Sequence, residues 1–235
     1  MKGFIVTSVH EPARQQNVQN ILAKLQKIER VEAFYPAFAK VPFLNRIKEI
    51  AKQRTGQVLR NGEVGCLLSH RKIWQLIIRR ATNDRESFLV LESDSRLCNL
   101  PLLEEQFGII SHTYDLFFWG AWDGHMQLLR STRQKLGPEY SIGEPFIKTV
   151  YCTYGYSLNR KAAAYLLKRT RKVAHPVDQF KKFIEPGHLK IGGIIPELIS
   201  TLKMDSNIRP QTNGISDMVF RKILDIKNSF ICFLR

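Results

Sequence analysis

The chain has 235 residues, 44% of them hydrophobic and 24% charged, enough to bury one sizeable core and too apolar for a disordered chain. Thirty-six Lys and Arg against 21 Asp and Glu give a net charge of +15, so the expected partners are anionic: sugar nucleotides, anionic lipids or nucleic acid. Nucleic acid is set aside because no RNP-like aromatic pattern, zinc finger or recognition helix accompanies the charge, and the scattered Cys66, Cys98, Cys152 and Cys232 indicate neither a disulfide framework nor a structural zinc site.

Met1 to Val9 is too short an apolar stretch for a signal peptide and reads as a first strand. No segment approaches the roughly 20 apolar residues of a membrane span, which points to a cytosolic or peripheral protein. Gln15 to Ile28 carries Val18, Ile21, Leu22 and Leu25 at helical spacing, and Val31 to Phe38 reads as extended. Lys40 to Leu59 is basic and mixed, with a helix expected over Leu44 to Ile50. From Glu63 to Ile78, Val64, Leu67, Leu68, Trp74 and Ile78 form one stripe of a buried helix, with Asn61 as its expected cap.

Phe88 to Leu91 is a continuous apolar run, as in a buried parallel strand, and it ends in Glu92-Ser93-Asp94. Open α/β sheets bind ligands at that end of their strands. Two carboxylates at i and i+2 suit a hard cation such as Mg2+ or Mn2+, which takes one or two carboxylates plus substrate phosphates. Taken alone, a polar turn is the commoner explanation.

A helix over Leu102 to Phe107 is followed by an aromatic strand, Tyr114 to Gly120, and a turn holding Trp122 and Asp123. Ser131 to Pro145 reads as a polar loop. Tyr151 to Ser157 is strand-like, and Asn159 is expected to cap a helix from Arg160 to about Arg171. Asp217 to Arg235 is a basic amphipathic segment, suited to an anionic membrane surface or to docking on the core.

Four blocks occur in order: Gly62-Glu-Val-Gly-Cys-Leu-Leu-Ser-His70, Leu89-Val-Leu-Glu-Ser-Asp94, Cys152-Thr-Tyr-Gly-Tyr-Ser157 and Pro176-Val-Asp178. Over about residues 1 to 210 this order resembles glycosyltransferase family 25, the lipooligosaccharide galactosyltransferases and their collagen-modifying relatives. The resemblance implies an α/β, GT-A-like nucleotide-binding fold, with a mixed, mostly parallel central sheet flanked by helices over 1–210, and leaves 211–235 as the basic appendage. It also implies an inverting transfer of a hexose, with galactose from UDP-galactose the first candidate, to a lipooligosaccharide core at the cytoplasmic face of the inner membrane. A catalytically silent sugar-nucleotide or glycolipid binder of the same fold, or a UDP-glucose-dependent glucosyltransferase, is the alternative.

In that reading Glu92 and Asp94 hold Mn2+ or Mg2+ on the diphosphate of the UDP-sugar, and Asp178 is the base or an acceptor ligand. Arg14, Ser69, His70 and Trp119 fall to the donor side. Trp122, Asp123, Tyr154 and Tyr156 fall to the acceptor side. His175 and His188 are further candidates for the metal shell. The family usually reads L-E-D-D where this chain has Leu-Glu-Ser-Asp, so Ser93 removes one carboxylate while the outer pair survives. Each residue also has a plainer reading: His70 and Trp119 as packed core residues, Arg14 as a solvated helix-start residue, and Asp178 as a helix cap.

Overall fold

The computed structural model describes residues 1–38, 40–202, 227–229 and 231–232. Most of the basic C-terminal segment lies outside the described residues. An eight-stranded sheet organises the molecule in the order β2-β1-β3-β8-β5-β9-β7-β6. Its strands are β1 (Gly3–Thr7), β2 (Ile28–Glu32), β3 (Ser87–Glu92), β5 (Leu116–Phe118), β6 (Gln134–Leu136), β7 (Tyr140–Gly143), β8 (Gly155–Asn159) and β9 (Ile191–Ile195). Pairs β1·β2, β1·β3 and β5·β9 are parallel, whereas β8 runs against both β3 and β5, and β7 runs against β9 and β6. All strands but β7 and β8 therefore run the same way.

Successive side chains of a strand alternate faces, and the continuous run in β3 reflects burial on both. Phe88 and Val90 join one core with Phe4, Phe118 and Trp74, while Leu89 and Leu91 join the other with Ile5, Phe117 and Trp119. Helices α2 (Leu44–Thr55), α3 (Asn61–Arg80) and α5 (Arg160–Arg169) cover the first face, and α1 (Pro12–Lys24) and α4 (Leu100–Thr113) cover the second. Each fully buried Leu, Val or Phe of this kind contributes about 1.5–3 kcal/mol.

Of the stripe expected on α3, Val64, Leu67 and Trp74 are fully buried and Leu68 and Ile78 partly so, while Ile73 and Ile77 complete the buried face. Its start differs from expectation. Asn61 is the first helical residue, and the N-cap is Arg60, whose amide donates to Glu63 Oε2 at 2.8 Å. Helix α1 begins earlier than the apolar spacing suggests, because Pro12 opens it and Ile28 already belongs to β2. Asn159 caps α5 as expected, its Oδ1 accepting from the Ala162 amide at 2.9 Å.

The stretch read as a polar loop contains the hairpin β6–β7, turned at Gly137 with φ +74°. Its strands are short and sit at the sheet edge, where Gln134 and Lys135 meet water and leave no apolar run to read. A second small sheet pairs β4 (Ser95–Leu97) with β10 (Ile199–Thr201), antiparallel. No helix among the described residues is long and apolar enough to cross a membrane.

Candidate active site

The chain leaves β1, β2 and β3 at the same edge of the sheet, and α3 passes beside them. A cavity of about 410 Å³ opens there, lined by Glu11 and Arg14 after β1, by 33–37 after β2, by Asn61, Gly62, Cys66 and Ser69 of α3, and by Glu92, Ser93 and Asp94 after β3. A second cavity of about 230 Å³ is lined by Glu63, 152–154, Pro176, Val177 and Asp178. The two share Cys66, Glu92, Asp94 and Thr201.

The shared wall is held from several directions. Asn17 Nδ2 of α1 donates to the carbonyls of Ser93 and Ser95, both at 2.9 Å, and Leu202 N–H donates to the Asp94 carbonyl at 2.7 Å. Ser95 Oγ accepts from the Glu92 amide at 2.9 Å and donates to the Tyr154 carbonyl at 2.5 Å. The Ser93–Asp94 turn is thus tied to α1, β10 and the chain before β8.

Cys66 and His70 lie one turn apart on α3 and both reach Glu92. Glu92 Oε1 lies 3.1 Å from His70 Nε2 and 3.9 Å from Cys66 Sγ, and it also accepts from the Thr153 hydroxyl. Behind them, Trp74 Nε1–H donates to Tyr156 Oη at 3.0 Å, and Tyr156 Oη lies 2.8 Å from His70 Nδ1. The tautomer that satisfies every partner has Tyr156 donating to Nδ1 and Nε2–H donating to Glu92. Every donor to Glu92 meets Oε1, which leaves Oε2 for a ligand.

The Gly62 to His70 block therefore has a physical meaning. A Cβ on Gly65 would stand 2.4 Å from the Phe34 carbonyl oxygen and 2.7 Å from Pro36 Cδ, so only glycine lets α3 and the segment after β2 touch. Ser69 Oγ accepts from the Phe34 amide at 2.9 Å and donates to the Gly65 carbonyl at 2.7 Å. Glycine and serine shape one cavity wall, and cysteine and histidine fix the carboxylate.

Burial works against ionisation of Glu92, but the hydrogen bonds from His70 and Thr153, with the Arg14 charge, outweigh it and hold the carboxyl below its ordinary range. Asp94 goes the other way. Burial first, then the Glu92 charge, push its carboxyl up to about 6, with Arg14 pulling back. Arg14 NH1 lies 3.5 Å from Asp94 Oδ2, 3.4 Å from Glu11 Oε1 and 3.3 Å from Ser93 Oγ. Ser93 Oγ donates to Glu11 Oε2 at 3.1 Å, so a carboxylate from the α1 entry stands on the serine.

Asp94 Oδ1 is buried and accepts no hydrogen bond. A buried carboxylate oxygen left over, beside a second carboxylate with a spare oxygen, is what a hard cation would complete. Cys66 Sγ, His70 Nε2 and Glu92 Oε1 also lie within 4.8 Å of one another. The same three side chains form a hydrogen-bonded cluster, in which burial and the charges of Glu92 and Asp178 push the Cys66 thiol up and His70 Nε2 faces Glu92.

The family model described as glycosyltransferase family 25 (LPS biosynthesis protein) matches residues 1–117. Those residues, just under half of the chain, are similar to family 25. No curated protein matches the chain. The family 25 match spans β1 to β5 and contains Arg14, the α3 block, Glu92 and Asp94. Tyr154 and Asp178 lie beyond it.

Several expected positions differ. Trp119, expected on the donor side, is fully buried between Phe107 and Phe117, with Nε1 donating to Ser157 Oγ at 2.9 Å, so no ring face is left for a base or sugar. Tyr156, expected on the acceptor side, is fully buried in the relay behind His70. His70 is itself fully buried and positions Glu92 instead of meeting the donor. Trp122 and Asp123 line neither cavity. They sit at φ +50° and +52°; Trp122 lies against Tyr151 and His125, and the Asp123 amide donates at 3.0 Å to the Tyr154 hydroxyl, which donates to Glu197 Oε2 at 2.8 Å.

Tyr154 does line the smaller cavity, as does Asp178, and the cap of the short helix after Asp178 is Gln179. His175 and His188 line neither cavity; His188 lies against Tyr165 and Glu185. Glu11, Cys66, Thr153 and Thr201 went unforeseen. The i, i+4 spacing of Cys66 from the expected His70 is the one signal that could have found any of them.

Proposed function

We propose that the chain is an inverting, metal-assisted hexosyltransferase that moves a sugar, galactose first among the candidates, from its UDP-sugar to a lipooligosaccharide core. The observation that carries this reading is the meeting of two cavities at Glu92 and Asp94, with Arg14 on one side and Asp178 on the other. The larger cavity has room for the nucleotide sugar and the smaller for the accepting sugar. Arg14 offers a guanidinium to the diphosphate, exchanging contacts with Glu11 and Asp94 for phosphate oxygens.

Glu92 Oε2 and Asp94 Oδ1 are the oxygens that would hold Mn2+ or Mg2+, and Glu11 lies close enough to Ser93 to supply the carboxylate that the serine lacks. Such an ion would neutralise charge on the departing UDP. Asp178 takes the proton from the attacking hydroxyl on the opposite side. Tyr154 stands against the acceptor. The net charge of +15 suits a peripheral position at the anionic, cytoplasmic face of the inner membrane.

Incubation of the full chain with truncated lipooligosaccharide, Mn2+ and a panel of UDP-hexoses should release UDP with one donor preferred by tenfold or more, on the order of 1.4 kcal/mol. Absence of UDP release with every donor and acceptor would contradict transfer. UDP binding without turnover across that panel would assign the silent binder instead.

A further inference from the structure

A third cavity, of about 540 Å³, lies at the far edge of the sheet and, among the described residues, shares no lining residue with the other two. Three cations, Arg130, Arg133 and Lys135, stand around it, and no Asp or Glu is among the described residues that line it. Among the described residues neither Arg133 nor Lys135 forms an ion pair. Register pairs Lys135 with Ser141 and Ser141 with Ile195, so these three side chains share one face of the sheet.

Ser141 is fully buried, lines the cavity, and its hydroxyl makes no hydrogen bond among the described residues. A buried hydroxyl without a partner costs free energy, and natural folds keep few of them without use. Leu128 and Ile195 add apolar wall beside it.

We propose that this cavity is a second binding site, for a phosphate ester. The two guanidinium groups and the ammonium match the charge and forked geometry of phosphate oxygens. The Ser141 hydroxyl donates to one oxygen, and the ester's carbon body lies on Leu128 and Ile195. The ligand is either a soluble phosphate ester or the phosphate headgroup of a lipid surface, and the site stands independently of the transfer reading.

The test uses the full chain with two probes: calorimetric titration of glycerol 3-phosphate, and co-sedimentation with phosphatidylcholine vesicles containing phosphatidylglycerol. At least one probe should bind. R133E/K135E should weaken that binding by about tenfold or more and S141A by several-fold, with UDP binding unchanged. K24E/K27E, an equal charge reversal on exposed residues elsewhere, should change it less than about twofold. Binding of glycerol 3-phosphate supports a soluble ester, and binding of vesicles alone supports a lipid headgroup. Binding of neither probe, or equal losses in R133E/K135E and K24E/K27E, would overturn the site. Unchanged affinity in S141A would remove the hydroxyl from it.

Discussion

Asp94→Asn should lower the transfer rate by about 10³-fold while raising the melting temperature of the metal-free protein at pH 8. The rate loss corresponds to about 4 kcal/mol of transition-state stabilisation, the scale expected when a metal-assisted leaving group loses a ligand. The stability gain follows from the electrostatics. Asp94 is forced up to about 6 in the folded chain from an ordinary 3.8, so the fold binds that proton more tightly than the unfolded chain does.

For a carboxyl with a raised value, stability is lost as pH climbs from about 4 to about 6, and the loss persists at neutral pH. It amounts to something on the order of 3 kcal/mol. Asparagine removes the charge that causes it, and Arg14 keeps Glu11 as a partner. Differential scanning calorimetry should show D94N melting several degrees above the parent at pH 8 and close to it at pH 4. Equal melting at both pH values would mean that Asp94 carries no such strain.

His70→Ala should be the most destabilising single change at the site. It removes a fully buried ring and strands two partners: Glu92 Oε1 loses its nitrogen donor and Tyr156 loses its acceptor. Breaking a buried charged hydrogen bond of this kind costs about 3–5 kcal/mol, roughly 10 °C in a domain of this size. The loss reaches function through Glu92. Released from His70, the carboxylate is held by Thr153 and Cys66 alone, and Mn2+ affinity should fall. His70→Gln, which retains a donor, should recover part of both quantities. Thermal melting with a Mn2+ titration by electron paramagnetic resonance measures them together, and unchanged Mn2+ affinity in a folded H70A would detach His70 from the site.

Some of this was readable from the chain. The runs of β1 and β3, the stripe of α3 and the Asn159 cap follow local rules, because apolar period and cap chemistry act over a few residues. The hairpin β6–β7 was not readable, since its edge strands carry Gln134, Lys135 and Ser141 instead of an apolar alternation. Aromatic residues at a strand end do not announce which side of the sheet they fill. Trp119 and Tyr156 went into the core because β5 and β8 are central strands with both faces covered.

Ionic residues were hardest. Glu11 joins Ser93 only because β1 and β3 are parallel neighbours whose exits share an edge, and that is a property of topology. Asp94 and Glu92 looked alike as an i, i+2 pair. Their surroundings push the two carboxyls in opposite directions, and nothing in the spacing encodes this.

A calorimetric titration of UDP into the full chain, with Mn2+ and with EDTA, tests the metal-assisted donor site most directly. Binding should be at least about tenfold tighter with Mn2+, a gain of about 1.4 kcal/mol. UDP binding of equal strength in both buffers, or no binding in either, would contradict it.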